Sequence, residues 1–189
     1  LRDDGCVSAR RGSGTVVIPP RVSGTDTHQV MSINDLLAFA AGTEFRIDMI
    51  DTVRIDARLA GTTGLPEGEQ WLRVSGYRYD EDAQPVCRTL YYINRAFAAV
   101  GRMLPRHTGP IFPLIEDMFG KQVVEVRQQI SATALSQDLA QALGEAEGAP
   151  ALEVRRSYLA DEGLVTQVTI NTHPASRFQH SMTMRRLDA

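Results

Sequence analysis

Residues 148–186 read GAPALEVRRSYLADEGLVTQVTINTHPASRFQHSMTMRR, three runs of alternating side chains separated by turn chemistry. In the first run Leu152, Val154 and Tyr158 alternate with Glu153 and Ser157. After Asp161-Glu162-Gly163, Leu164, Val168 and Ile170 alternate with Val165, Gln167, Thr169 and Asn171. Pro174-Ala175-Ser176 leads into a third run with Phe178, Met182 and Met184 on one side. A period of two bounded by Asp, Gly and Pro predicts an antiparallel meander with one buried face. Arg156 breaks the rule, because it falls in phase with Leu152, Val154 and Tyr158. An arginine on an apolar face requires a partner.

Working outward, the same logic predicts strands around Phe45–Ile55, Leu72–Arg78, Val86–Ile93 and Gln122–Ile130. Arg78 is a second arginine in phase with apolar neighbours, here Leu72 and Val74. Helices are predicted from a Ser32 cap to Gly42, from Pro113 to Gly120, and from Thr133 to Leu143 with Gly144 as stop. Ala60–Glu69 reads as a loop, and Asn94–Pro110 as irregular or weakly helical. Helices mix with strands that come in hairpins, so the fold class is α+β, a mostly antiparallel sheet flanked by helices.

The 189 residues suffice for one main domain with a small appendage. A net charge of −3 argues against an autonomous nucleic-acid binder. No apolar run is long enough to span a membrane, and Leu1-Arg2-Asp3-Asp4 does not open a secretory leader. Cys6 and Cys87 are far apart without a CxxC, which fits a reducing cytoplasm. His28, His107 and His180 lack ligand spacing, so no metal site and no cofactor is expected.

The start of the chain reads as a hairpin: Val7-Ser8-Ala9, a basic glycine-rich tip Arg10-Arg11-Gly12-Ser13-Gly14, then Thr15-Val16-Val17. This stretch resembles the wing of the GntR winged-helix repressors, roughly R-x-G-x-G-T-x-V. The remainder resembles the UTRA effector-binding domain of the HutC branch, which has a chorismate-lyase-like fold. Ile130-Ser131-Ala132, Leu152-Glu153-Val154-Arg155-Arg156, Asp161-Glu162-Gly163 and Ser176-Arg177-Phe178 follow the order of that family's motifs. The resemblance implies three parts: residues 1–20 as the end of a winged-helix domain, 21–30 as linker, and 31–189 as the effector domain. It also implies a cytoplasmic homodimeric repressor that meets operator DNA through the full-length protein. The contacts carried by this chain would be Arg10, Arg11, Gly12 and Ser13.

A guanidinium stays charged and grips a carboxylate or phosphate with two parallel bonds. Arg78 and Arg156 therefore either hold an anionic effector or pair with an internal acid such as Asp48 or Glu125. The polar stripe of Gln167, Thr169, Asn171 and His173 is either the wet face of a half-buried sheet or one wall of a site. In the family, a Glu, a Ser and a Tyr stand at the places of Gln167, Asn171 and His173, and a ligand-contacting Ser at that of Tyr91. Those departures imply a small, unsaturated or aromatic carboxylate in place of an amino-sugar phosphate. Arg177 resembles the arginine of a D-R-Y/F element whose acid is here Ser176, and it joins the ligand-site candidates with a possible structural tie as its other role. The rival reading is a chorismate-lyase-like enzyme acting on a small carboxylate. Against it, no Ser/His/Asp or Cys/His set, phosphate loop or paired acids stand out. One geometric question stays open. Arg156 follows the apolar side of its strand and Gln167 the polar side of the next, and hairpin spacing leaves undecided whether they meet.

Overall fold

The structure is a computed structural model that describes residues 7–9, 15–17, 27–28, 42–107 and 109–180. The basic tip at 10–13, Cys6, the helix expected after Ser32 and the run containing Met182 and Met184 lie outside the described residues. Strands β1 (Val7–Ala9) and β2 (Thr15–Val17) pair antiparallel, with Val7 opposite Val17. Within the stretch read as a linker, β3 (Thr27–His28) forms a short strand.

The centre is a six-stranded antiparallel sheet. Its strands are β4 (Glu44–Arg54), β5 (Gln70–Tyr79), β6 (Pro85–Asn94), β7 (Glu125–Ala134), β8 (Pro150–Leu159) and β9 (Val165–Pro174). The order β4-β5-β6-β9-β8-β7 joins two three-stranded meanders through the last strand of each. This is the expected α+β architecture. The chain between β6 and β7 crosses one face as two 3-10 segments, Arg95–Arg102 and Leu104–Arg106, and a helix described below.

Among the described residues, three short α-helices flank the sheet. Helix α1 (Ala57–Thr63) runs into the first four residues of the stretch read as a loop. Its sequence, with Gly61 and two threonines, hides the helix from propensity. Asp56 Oδ1 accepts the Leu59 N–H at 2.7 Å as N-cap, and Gly64 at φ 74° ends it. Leu59 and Ala60 pack on Ile55, Trp71, Tyr92, Val168 and Ile170, and this burial outweighs weak propensity. Helix α2 (Ile111–Phe119) closes the opposite face, where Ile111 and Ile115 join Val74, Tyr91, Ile93, Phe97 and Val100. Helix α3 (Gln137–Leu143) starts four residues later than expected. The reason is that β7 stays extended to Ala134, paired with Pro150.

The opening meander needs two corrections. The described part of its third run, β10 (Gln179–His180), pairs in parallel with β3, not antiparallel with β9. Strand β9 has no wet face: Val168 and Ile170 are buried on one side, and Gln167, Thr169, Asn171 and His173 on the other. It lies between β6 and β8 with layers over both faces, so its polar stripe is interior.

The β4–β5 register shifts between Ile47 and Met49, leaving one extra residue on β4. At that irregularity the Arg46 carbonyl closes on Gly76. A Cβ on Gly76 would lie 2.1 Å from that oxygen and 3.0 Å from the Phe45 ring. Gly76→Ala should therefore cost about 1–3 kcal/mol of unfolding free energy, as a lowered denaturation midpoint in urea with its slope unchanged. A variant as stable as the parent would show that the bulge relaxes freely.

Candidate functional site

Antiparallel pairing puts directly opposed residues on the same face of a sheet. Reading across the strands, Gln128, Arg156, Thr169, Tyr91 and Val74 form one continuous row. The next row on the same face is Val126, Tyr158, Gln167, Ile93 and Leu72, and the one on its other side is Ile130, Val154, Asn171, Thr89 and Gly76. Arg156 and the polar stripe of β9 thus meet. The apolar side of β8 and the polar side of β9 face the same way.

Arg78 lies four residues along β5 from the Tyr91 row, opposite Cys87. The Tyr91 phenol spans the gap over Gly76 and accepts the Arg78 Nη2 proton at 2.7 Å. Arg78 Nη1 donates to Thr43 Oγ1 at 3.0 Å, and its guanidinium carbon sits 5.4 Å from the centre of the Phe45 ring. Arg156 donates from Nε to Gln128 Oε1 at 2.7 Å. Exposures of 3% for Arg78 and 6% for Arg156 make both interior cations.

Between this face and the first turn of α2 lies a cavity of about 30 Å³ for the centres of water-sized molecules. That is room for about two waters. Arg78, Tyr91, Arg156, Gln167 and Asn171, all singled out from sequence, line it together. Thr169, Tyr158, Pro110, Ile111 and Phe112 complete the lining. Phe112 stacks on Tyr158 with ring centres 5.2 Å apart. Among the described residues, no carboxylate is in the lining. Glu125 is taken by Arg127 at 2.7 Å, and among the described residues no acid pairs with Arg156.

Polar atoms left over in the interior point to what would fill the space. Gln167 is 1% exposed, yet its Oε1 has no hydrogen-bond partner among the described residues. The Thr169 hydroxyl favours the Tyr158 phenolate by proximity, but its Oγ1 forms no bond of proper geometry. Asn171 Oδ1 is already used by Thr89 Oγ1 at 2.8 Å. An unpaired buried polar atom costs roughly 1–3 kcal/mol, so these groups favour water or a polar ligand beside them.

The same burial moves proton affinities. It depresses the Arg156 pKa, with the nearby Arg78 charge adding to the effect. Burial pushes the Cys87 thiol up to about 11 and the Tyr158 phenol up to about 12. The lining therefore joins the protonated Tyr158 phenol to two cations, which suits a small anion.

His173 and Arg177 are not brought to the cavity lining. His173 shares the face but stacks on Phe178, ring centres 4.2 Å apart. Arg177 donates to the Pro85 carbonyl and pairs with Glu145 at 3.1 Å, while Ser176 donates to the same carboxylate at 2.7 Å. Among the described residues, no cluster of His, Cys, Asp or Glu could hold a metal, and no helix is long and apolar enough to cross a membrane.

A model described as the UTRA domain matches residues 42–179, the whole sheet and both flanking layers. The chain belongs to the UTRA-domain family. The HTH-type transcriptional regulator Rv0792c of Mycobacterium tuberculosis is 27% identical over 191 residues, covering 98% of this chain and 69% of that protein. Among solved structures, PhnF of Mycobacterium smegmatis has a TM-score of 0.66 at 18% identity, over 98% of this chain and 80% of its own. The ligand-binding domain of a putative GntR-family regulator of Bordetella bronchiseptica gives 0.65 at 20%, over 76% and 89%. These two likenesses establish the shared fold.

Within this UTRA domain, two kinds of cavity residue escaped sequence reasoning. Tyr158 and Thr169 were visible in the alternation, one read as core and the other as part of the polar stripe. Pro110, Ile111 and Phe112 left no local signal, because only the crossing of the chain from β6 to β7 brings them over Arg156.

Cys87 and Tyr158 hold their protons more tightly folded than unfolded. Their contribution to stability is intact below the ordinary thiol value of 9.0 and is lost as pH rises through about 11 and 12. Unfolding free energy should therefore decline above pH 9, and Cys87→Ser should remove the earlier part of that decline. At pH 8, iodoacetamide should modify Cys87 only in denaturant, as read by peptide mass spectrometry. Rapid native labelling would contradict its burial.

Proposed function

We propose that this chain is the effector-sensing domain of a GntR-type transcriptional regulator of the HutC branch, a cytoplasmic homodimer that represses through attached winged-helix domains. The chain is a regulator, not an enzyme. The observation that carries the reading is a cavity with two buried arginines and, among the described residues, no carboxylate in its lining, in a UTRA domain whose relative Rv0792c is named a transcriptional regulator. Such a cavity is built to be completed by an anion.

The effector is a small unsaturated or aromatic carboxylate, with a phosphate as the rival head group. Arg156 supplies charge, Gln167 and Thr169 supply polar contacts, and the Tyr91, Tyr158 and Phe112 rings line the remainder. Two waters' worth of space does not admit such a molecule, so binding requires the first turn of α2, with Ile111 and Phe112, to give way. A ligand shifts an equilibrium only by its preference for one state, and an opened α2 is such a state.

Strand β9 supports a route to the DNA-reading side. It carries Gln167, Thr169 and Asn171 in the cavity, then His173 on Phe178, then leads into β10, which pairs with β3 ahead of the domain. The β1–β2 hairpin is the wing in this reading, with Arg10, Arg11, Gly12 and Ser13 at its tip meeting operator DNA. Effector binding moves the two winged-helix domains of the dimer out of half-site register and lowers operator affinity.

A thermal-shift screen of metabolite carboxylates and sugar phosphates tests the effector class, since a ligand stabilises the state it prefers. Stabilisation by sugar phosphates alone would sink the carboxylate assignment. In the full-length regulator, Arg156→Ala and Arg78→Ala should abolish the effector's effect on operator binding while the circular dichroism spectrum is retained. A fully responsive variant removes its arginine from the site.

A further inference from the structure

We propose that Gln128 is a positioning residue: it orients Arg156 toward the cavity and, being neutral, leaves the guanidinium charge for the ligand. This rests on the effector-cavity reading above. Gln128 stands directly opposite Arg156 on the edge strand β7, and its Oε1 takes the Nε proton at 2.7 Å. It does not line the cavity, whereas Arg156 does. One bond to Nε, made from the β7 side, fixes the plane of a guanidinium that has five N–H donors and leaves the four terminal ones for other acceptors.

The neutrality of position 128 is the informative part. Arginines this deeply buried are ordinarily paired with an acid. Gln128 is exposed at the sheet edge, so packing would accept a glutamate of the same size and reach. A glutamate there would keep the hydrogen bond and neutralise Arg156 inside the protein. The acid closest along the strand, Glu125, is turned to Arg127, both of them exposed. The described groups that share the lining with Arg156 are Tyr158 on its own strand and Tyr91, Thr169, Gln167 and Phe112 from other elements, none of them an acid charged at neutral pH, and the nearby cation is Arg78. The charge is thus held in place with its neutralisation left to a ligand, and one exposed amide decides this.

The test compares the parent chain with Gln128→Glu and Gln128→Leu in thermal melts, without added anion and with sodium benzoate or sodium phosphate at constant ionic strength. Gln128→Glu should melt a few degrees above the parent without anion, because it pairs a buried charge. It should also bind the stabilising anion roughly tenfold or more weakly. Gln128→Leu should lose anion affinity without the gain in melting temperature. A merely structural role would let Glu replace Gln with the anion response intact. A Gln128→Glu chain that is no more stable than the parent and binds anion equally well overturns the proposal. If Gln128→Glu is stabilised while the parent responds to neither anion, the assignment of Gln128 to Arg156 stands and the anionic-effector reading of the cavity falls.

Discussion

Two guanidiniums sit in the interior of this domain, and among the described residues the lining between them contains no carboxylate. Burying an isolated ion is among the costliest things a fold can do, and proteins ordinarily offset it with a counter-charge. Here the described groups beside Arg156 are neutral: the Gln128 amide and the Tyr158 and Tyr91 phenols. They orient the charge without cancelling it. The other features of the site follow from that constraint. Its Tyr158 phenol stays protonated, its glutamine oxygen is left without a partner among the described residues, and its volume is kept small by Phe112 against Tyr158.

The backbone makes this arrangement possible in two places. Joining the two meanders through β6 and β9 puts β9, with its stripe of Gln167, Thr169, Asn171 and His173, at the centre of the sheet, shielded on both faces. Gly76 then leaves a gap on β5 over which Tyr91 reaches Arg78. The same glycine admits the Arg46 carbonyl at the β4 irregularity, so one missing side chain serves both the register of the edge and the geometry of the site. Arg177, by contrast, works away from the cavity, tying the turn after β9 to Pro85 and Glu145.

Much of this was legible in the residues. Alternation located the strands, Gly120 and Gly144 marked two helix ends, and the phase of Arg78 and Arg156 marked them as misplaced on apolar faces. The errors have physical causes. Helix α1 forms from a poor helical sequence because Leu59 and Ala60 find a core. Helix α3 starts late because β8 holds residues up to Ala134 extended. The polar stripe of Gln167, Thr169 and Asn171 resembles a wet face because period-two patterning reports polarity and not what lies above it.

The sequence by itself determined which residues share a side of each strand, since side chains alternate with a period of two whatever the fold around them. It therefore determined that Arg156 would need a partner and that Gln167 and Asn171 stand together. Only the tertiary structure decided that these sides coincide. Cross-strand register sets which row a residue joins, and the bulges that set register, such as the shift between Tyr158 and Leu159, leave no unambiguous mark in the chain. The cover supplied by Ile111 and Phe112 is likewise a matter of where a long crossing comes to rest. Local chemistry specified the wall of the site, and long-range packing covered it.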